Sequence, residues 1–308
     1  MISIVIVNWN SGPLLEKCVN SVRRHAPQCP TVVIDNASGD GSLEFAHAIP
    51  GVLSIIRNQS NLGFAAACNI GWRATATEYV LFLNPDTECL PGSIEILNRT
   101  MASGENVWAA GGHLVDRSGI HQAAFNIRSF PNVPRLAAEM LLLDGIGKAM
   151  YVRRSNRHGG DAAVEVDQPA AACLMVTREA LERIGGFDER FHPAWFEDVD
   201  LCRRIRSLGG RILYQPAAVF RHQGGYSLQR MARTAFLEHF HTNQIRYFRK
   251  HFGSRAAARA KRWIVAGLLL RGALSLIRSP FPGIGRETAS QTFRIAARRI
   301  RNLRETEL

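Results

Sequence analysis

The chain has 308 residues, 46% hydrophobic and 21% charged, a balance that excludes intrinsic disorder and suits one large or two smaller globular domains. Its six cysteines (Cys18, Cys29, Cys68, Cys89, Cys173, Cys202) include no CxxC pair and no charged-then-apolar leader precedes the first predicted strand, so the expected setting is a reducing cytoplasm. The net charge of +12 is concentrated: residues 249 to 308 hold 14 Lys+Arg against 3 Asp+Glu, leaving 24 against 23 for residues 1 to 248.

Along the near-neutral body, short apolar runs alternate with helical patterns. "ISIVIVN" (2 to 8) precedes a helix near 12 to 25, "TVVID" (31 to 35) a helix near 41 to 48, and "VLSIIR" (52 to 57) a helix near 63 to 76, before "YVLFLN" (79 to 84). Strand, helix, strand at this spacing predicts right-handed crossovers and an α/β fold with a mostly parallel sheet flanked by helices. Ligands of such sheets sit beyond the carboxyl ends of the strands, where Asn8, Trp9 and Asn10, then Asp35, Asn36 and Ser38, then Asn84, Pro85 and Asp86 gather. The irregular stretch from 116 to 168 reads as covering loops, and "PAAACLMVTREALERIGGFDERF" (169 to 191) as a buried strand, a helix and a Gly-Gly turn.

Each candidate residue has a structural and a chemical reading. Pro85 pushes Asp86 out of its strand, where the carboxylate either caps the helix expected near 91 or holds a divalent cation against a diphosphate. Asp35 either forms a turn or accepts the ring N–H of a pyrimidine. In "AWFEDVDLCRRI" (194 to 205), acids at a helix start complement its dipole and Asp200 pairs with Arg204, which leaves Glu197 and Asp198 unexplained behind Trp195 and Phe196. A carboxylate dried by two aromatic rings is a candidate general base. His222 ends another apolar strand and gains meaning only from its company.

In the basic tail, "WIVAGLLLRGALSLI" (263 to 277) is too short and too interrupted by Arg271 to span a bilayer of ~30 Å. Phe293, Ala296, Ala297, Ile300 and Leu303 share one helical face, with Arg294, Arg298 and Arg301 on another. A basic amphipathic tail of this kind is expected to lie on an anionic membrane surface.

Together "VIVNWN" (5 to 10), "VVIDNASGDGS" (32 to 42), "NLGFAAACNIGW" (61 to 72), "FLNPDTE" (82 to 88), "GGFDERF" (185 to 191), "FEDVDLCRRIRSLGGRILYQP" (196 to 216) and "FRHQGG" (220 to 225) resemble, in family order, the inverting glycosyltransferases of family 2. The nearest branch in appearance is the rhamnosyltransferase-like one that builds polyprenol-linked cell-surface glycans. The resemblance implies a GT-A, Rossmann-like domain over 1–248 and a membrane-associating tail over 249–308. It also implies transfer of a sugar, with dTDP-rhamnose favoured, from a nucleotide donor to a lipid-linked or polysaccharide acceptor, with Mg or Mn as cofactor. In this reading Val7, Asn8, Trp9, Asp35, Asn36, Asn61, Gly63, Phe64 and Asn84 bind the nucleotide sugar, while Asp86 and His222 hold the metal. Asp198 is the general base, Glu197 positions the acceptor, and Trp195, Gly186 and Phe187 line the acceptor side. Many relatives carry Asp-x-Asp where this chain has Asn84-Pro85-Asp86, so the ligand charge is lower and His222 matters more.

The expected location is cytoplasmic, peripheral on the inner face of the cell membrane, with homo-oligomerisation left open. The alternative is a catalytically weak nucleotide-sugar-binding scaffold subunit, which donor hydrolysis would separate from a transferase. Nucleic acid is not an expected partner, because the tail lacks interleaved aromatics and any recognisable module. A dinucleotide oxidoreductase is disfavoured by the lack of GxGxxG after the first strand.

Overall fold

The computed structural model describes residues 1–48, 53–143, 161–224, 231–278, 284–304, 306 and 308. Val52, Gly225, residues 144–160 of the irregular stretch and residues 279–283 of the tail lie outside the described residues. The chain forms two compact units: Met1–Phe130, Val152–Pro193 and Glu197–Ser227 make the first, and Pro131–Tyr151, Ala194–Phe196 and Leu228–Leu308 the second.

The first unit is built on one sheet. Its strands are β1 (Ile2–Asn8), β2 (Thr31–Asp35), β3 (Leu53–Arg57), β4 (Tyr79–Leu83), β5 (Thr87–Cys89), β6 (Val107–Val115), β7 (Val164–Glu165), β8 (Cys173–Thr177) and β9 (Arg211–His222). They lie in the order β3-β2-β1-β4-β8-β6-β9-β5, with β7 beside β9. The half from β3 to β4 is parallel, as the crossover spacing predicts. Beyond β4 the sheet is mixed: β8 runs antiparallel to β4 and β6, β6 and β9 are parallel, and β5 and β7 are antiparallel to β9. This half departs from the mostly parallel expectation because β5 follows β4 through the Asn84–Asp86 turn, which reverses the chain without a helical crossover, and β8 lies antiparallel between β4 and β6.

The unit's helices are α1 (Pro13–His25), α2 (Phe64–Arg73), α3 (Ser93–Met101), α4 (Ala123–Asn126), α6 (Arg178–Ile184) and α7 (Glu197–Ser207), while α5 (Val133–Met140) belongs to the second unit. The expected helix near 41 to 48 is a single tight turn, Glu44–Ala48. Strand alternation divides the core into two layers. Ile4 and Ile6 of β1 pack with Leu15, Val19 and Val22 of α1 and Leu97 of α3, while Val5 and Val7 pack with Trp72 of α2, Leu181 of α6 and Ile205 of α7. Thr177 caps α6 by accepting from the Ala180 amide, and Gly185 ends it in the left-handed region. Gly186 follows at φ 78°, and a Cβ there would stand 2.3 Å from Asn69 Oδ1, so only glycine fits this turn.

The second unit contains α5, α8 (Arg233–Arg278, broken at Gly253) and α9 (Ile284–Asn302). The boundary expected at residue 248 falls inside α8, because Ile245, Tyr247 and Phe248 are fully buried. Arg271, which interrupts the apolar run, donates to the Met140 and Glu139 carbonyls, each at 2.9 Å, and so closes the C-terminus of α5. Ala296, Ala297 and Ile300 are buried, and Arg294, Arg298 and Arg301 are exposed. The amphipathic pattern of α9 is therefore present, but its apolar face packs inside the unit, with Phe293 beside Gly272 of α8. Among the described residues no helix is long and apolar enough to cross a membrane.

Candidate active site

The ends of β1 and β2 form one hydrogen-bonded platform. Asn8 is fully buried and its Nδ2 stands 2.9 Å from Asp35 Oδ1, 3.0 Å from Ser38 Oγ and 2.9 Å from Ser42 Oγ. The Ser38 amide donates to Asp35 Oδ2, the Gly12 amide to Asp40 Oδ2 and the Gly39 amide to Asn10 Oδ1, so the loops after both strands are tied together. Asn36 extends the platform by donating to the Gly63 carbonyl at 3.1 Å and accepting from Asn58 at 2.8 Å, while Asn61 accepts from the Gly63 amide at 2.9 Å. Asn8 thus orients Asp35, Asn36 and Asn61 shape the loop that carries Gly63 and Phe64, Val7 is in the core, and Trp9 is partly exposed.

Beside β4 the chain turns at Asn84–Thr87, with the Thr87 amide donating to the Asn84 carbonyl, and enters β5 directly opposite the end of β9. The register pairs Thr87 with His222, which brings Asp86 Oδ1 to 3.4 Å from His222 Nε2. The Gly224 amide donates to Asp86 Oδ2 at 3.1 Å and the Gln223 amide to the Asp86 carbonyl at 2.9 Å. On the far side of the ring, His222 Nδ1 is 2.8 Å from Gln122 Oε1, and Gln122 Nε2 donates to the His222 carbonyl at 2.9 Å. That carbonyl can only accept, so the amide nitrogen must face it and the amide oxygen must face Nδ1, which then carries the ring proton. In the neutral ring Nε2 presents a lone pair to a carboxylate oxygen. Two acceptors 3.4 Å apart call for a positive charge between them, so this pair fits a divalent cation, whose neighbouring ligands are each ~2.1 Å from a Mg-sized ion.

Glu197, Asp198 and Asp200 open α7, and all three are buried, which rules out a solvated helix start. Asp200 is internal architecture: Arg204 pairs with it at 2.7 Å and carries hydrogen bonds on to the Ile184 and Gly186 carbonyls. Asp198 is held differently, by Arg128 Nη2 at 2.5 Å and the Ala171 amide at 3.3 Å on Oδ2, and by the Val199 amide at 2.7 Å on Oδ1. Of roughly four acceptor positions on a carboxylate, three are filled by described residues, and the fourth lies on Oδ1. Glu197 has a buried Oε2 with no partner among the described residues. Burial first, and the neighbouring Asp198 charge second, push its carboxyl well above the usual range, so it is biased toward the neutral acid. The chain reaches Glu197 through Trp195 and Phe196, both at positive φ, a conformation that bulky residues rarely adopt.

Asp86 and Asp198 flank one short segment. The Asn84 amide donates to the Ala172 carbonyl, and the Ala171 amide to Asp198. A second segment, Gln122–Arg128, crosses the same place: Gln122 clasps His222 at one end, the Phe125 carbonyl accepts from the Ala170 amide, and Arg128 holds Asp198 at the other. Asn126 anchors it by exchanging two hydrogen bonds with the Leu114 backbone. Gln168, with its amide oxygen turned toward Arg128, accepts from the guanidinium at 2.5 and 3.2 Å. Gln122, Arg128 and Gln168 were not legible in the sequence, since polar residues in an irregular stretch carry no periodic signal. The contacts of the expected acceptor-side residues are interior ones. Phe187 lies edge-on to Phe82 and Phe64 at 4.9 and 6.3 Å, the Gly186 carbonyl accepts from Arg204, and Trp195 packs on Phe236 at 5.0 Å within the second unit.

Comparison with known proteins places the chain in a family. Over 293 residues, 91% of this chain and 94% of the relative, the chain is 26% identical to an N-acetylglucosaminyl-diphospho-decaprenol L-rhamnosyltransferase of Mycobacterium tuberculosis. It is 23% identical over 225 residues, 70% of this chain and 81% of the relative, to the rhamnosyltransferase WbbL of Escherichia coli. In fold it is similar to a mannosyltransferase of Pyrobaculum calidifontis in complex with GDP-Man and Mn2+, with TM-score 0.56, 17% identity and coverage of 96% of this chain and 85% of the other. It is also similar to GalNAc-T7 with UDP, GalNAc and Mn2+, with TM-score 0.61, 16% identity and coverage of 95% and 54%. The Glycosyl transferase family 2 model matches residues 3–163, just over half of the chain, from β1 through Asp86 and the Gln122–Arg128 segment. The fold is GT-A-like, and this chain belongs to glycosyl transferase family 2 and is a glycosyltransferase.

Proposed function

We propose that this glycosyltransferase moves a sugar, with inversion, from a nucleoside-diphosphate donor to a hydroxyl of a polyprenol-linked or polysaccharide acceptor, and that the sugar is rhamnose from dTDP-rhamnose. The observation that carries the reading is the placement of two unlike carboxylates, Asp86 and Asp198, on either side of Ala171–Ala172. The rhamnosyltransferases among its relatives support the choice of sugar and acceptor.

In this reading Asp35 and the β1–β2 platform receive the base, with Gly63 and Phe64 beside it. Asp86 Oδ1 and His222 Nε2 would hold Mg or Mn. When bound, the cation neutralises charge that develops on the leaving diphosphate. Asp198 Oδ1 accepts the proton of the acceptor hydroxyl as its oxygen bonds to the anomeric carbon, while the bond from that carbon to the diphosphate oxygen breaks on the opposite face. Glu197, biased toward the neutral form, donates a hydrogen bond that positions the acceptor. Arg128 and the Ala171 amide hold and aim Asp198 through Oδ2.

A thermal-shift series tests the reading: the transition should rise with dTDP-rhamnose plus Mn or Mg and far less with either alone. No shift with any of the common nucleotide sugars, with or without metal, would refute it.

A lipid-linked acceptor also implies contact with a membrane surface from the cytoplasmic side. Since the apolar face of α9 is used internally, the candidate surface is the exposed face of α8, where Arg255, Arg259 and Arg262 precede the half-exposed Trp263, Leu269 and Leu276. Each arginine near an anionic leaflet contributes ~1 kcal/mol, so changing all three to Gln should cut retention on phosphatidylglycerol vesicles by about 100-fold. Equal retention of the variant would remove this part of the proposal.

A further inference from the structure

The cation reading assigns ligands but does not explain why His222 is in the form a ligand must have. A neutral imidazole carries its proton on either nitrogen, and only one of the two forms leaves Nε2 free to face Asp86. What decides is the group on Nδ1, and that group is Gln122, which the sequence motifs do not include.

We propose that Gln122 is a positioning residue that fixes the Nδ1–H form of His222 and so prepares Nε2 as a cation ligand. The inference rests on the metal reading of Asp86 and His222 and deepens it. Three observations carry it. The side chain grips His222 twice, through Oε1 to Nδ1 at 2.8 Å and through Nε2 to the backbone carbonyl at 2.9 Å, and the second bond removes the freedom of the amide to turn over. The residue itself is fixed, because its amide donates to the Leu114 carbonyl at 3.0 Å and it opens α4, which Asn126 ties to the same strand. The ring is flanked by Phe125, edge-on at 5.1 Å, and by Gly224 at φ 71°, where an added Cβ would lie 3.4 Å from Cε1 and whose amide engages Asp86. His222 is only 2% exposed, so water does not compete for Nδ1.

A group that orients a metal-bound imidazole from behind is typically worth about 10- to 100-fold in metal affinity. Gln122 reaches this role from the segment whose other end, Arg128, holds Asp198. One short stretch of chain therefore sets the state of both halves of the site.

Two measurements on the full chain test the inference. Nitrogen-detected NMR of the imidazoles, with His222 assigned by comparison with His222→Gln, should find the Nδ1–H form in the wild-type protein. Finding the proton on Nε2 would overturn the proposal without any variant at the clasp. Mn2+ titration followed by electron paramagnetic resonance, in the presence of UDP as the probe diphosphate, should show affinity falling about 10-fold or more in Gln122→Met, a change of similar length that keeps the packing and removes both hydrogen bonds. In a His222→Ala background the same change should do nothing further. Equal Mn2+ affinity in wild type and Gln122→Met overturns the role of Gln122 while the cation reading stands. Absence of Mn2+ binding in the wild type overturns the cation reading and this inference with it.

Discussion

Asp86 and Asp198 sit on the same rim of the same sheet, yet their surroundings are opposite. Asp198 comes with its own cation: Arg128 lies 2.5 Å away, on a guanidinium that Gln168 also holds. The Asp86 carboxylate faces an imidazole nitrogen at 3.4 Å and the Gly224 amide, and among the described residues no guanidinium is hydrogen-bonded to it. The difference follows from what each carboxylate is asked to do. A base must hold its aim and keep one acceptor position open, which a fixed guanidinium on the other oxygen achieves. A cation ligand must stay incomplete until the cation and its diphosphate come together.

The widest separation between the two should appear in kinetics. Asp198→Asn removes the proton acceptor but keeps the shape, so kcat should fall by ~10²–10⁴ with nucleotide-dependent thermal stabilisation intact. Asp86→Asn should instead abolish the metal-dependent part of that stabilisation. If the two variants lose the same parameter, the division of labour is wrong, whichever parameter it is.

A smaller effect separates an internal from an external counterion. Arg128→Gln should lower the stability of the cation-free protein by about 1–3 kcal/mol, the usual value of a hydrogen bond to a charged group, and by much less when Asp198 is already Asn. Chemical denaturation of the four proteins of this cycle reads the coupling directly. A coupling near zero for Arg128 and Asp198 would remove the contrast on which the comparison stands.

What the sequence revealed and what it hid divide along physical lines. Short apolar runs and helical crossovers marked β1 to β4 closely, and the polar strand ends placed Asp35 and Asp86 where loops converge. The mixed half of the sheet was less visible, because β5 and β7 are three and two residues long and follow no crossover helix. Asp200 was read correctly as a helix residue because its partner is four positions away on the same helix, a local relation that sequence displays. Arg128 and Asp198 are 70 positions apart, and Gln122 and His222 are 100 apart, so only the fold could pair them. The tail shows the converse. Its amphipathic pattern was correctly read from Phe293 to Ile300, but a periodic apolar face does not say what covers it, and here the cover is α8.

Between the two aspartates in character stands Glu197, a buried carboxyl with neither a guanidinium nor a described partner on Oε2. Burial raises its pKa in the folded protein above the unfolded value, so the folded state binds more protons than the unfolded state between the two values. Its contribution is fully present below the unfolded pKa and is lost as pH rises toward the folded one. Glu197→Gln keeps the shape and the hydrogen-bonding donor without an ionisable group, so the variant should match the wild type in acid and become progressively more stable than it as pH rises above the ordinary glutamate range. Melting temperatures of both proteins across that range give the answer. A gap that stays constant with pH, or that closes as pH rises, would mean that Glu197 is a charged residue in the folded protein, and the hydrogen bond it is proposed to donate to the acceptor could not be made.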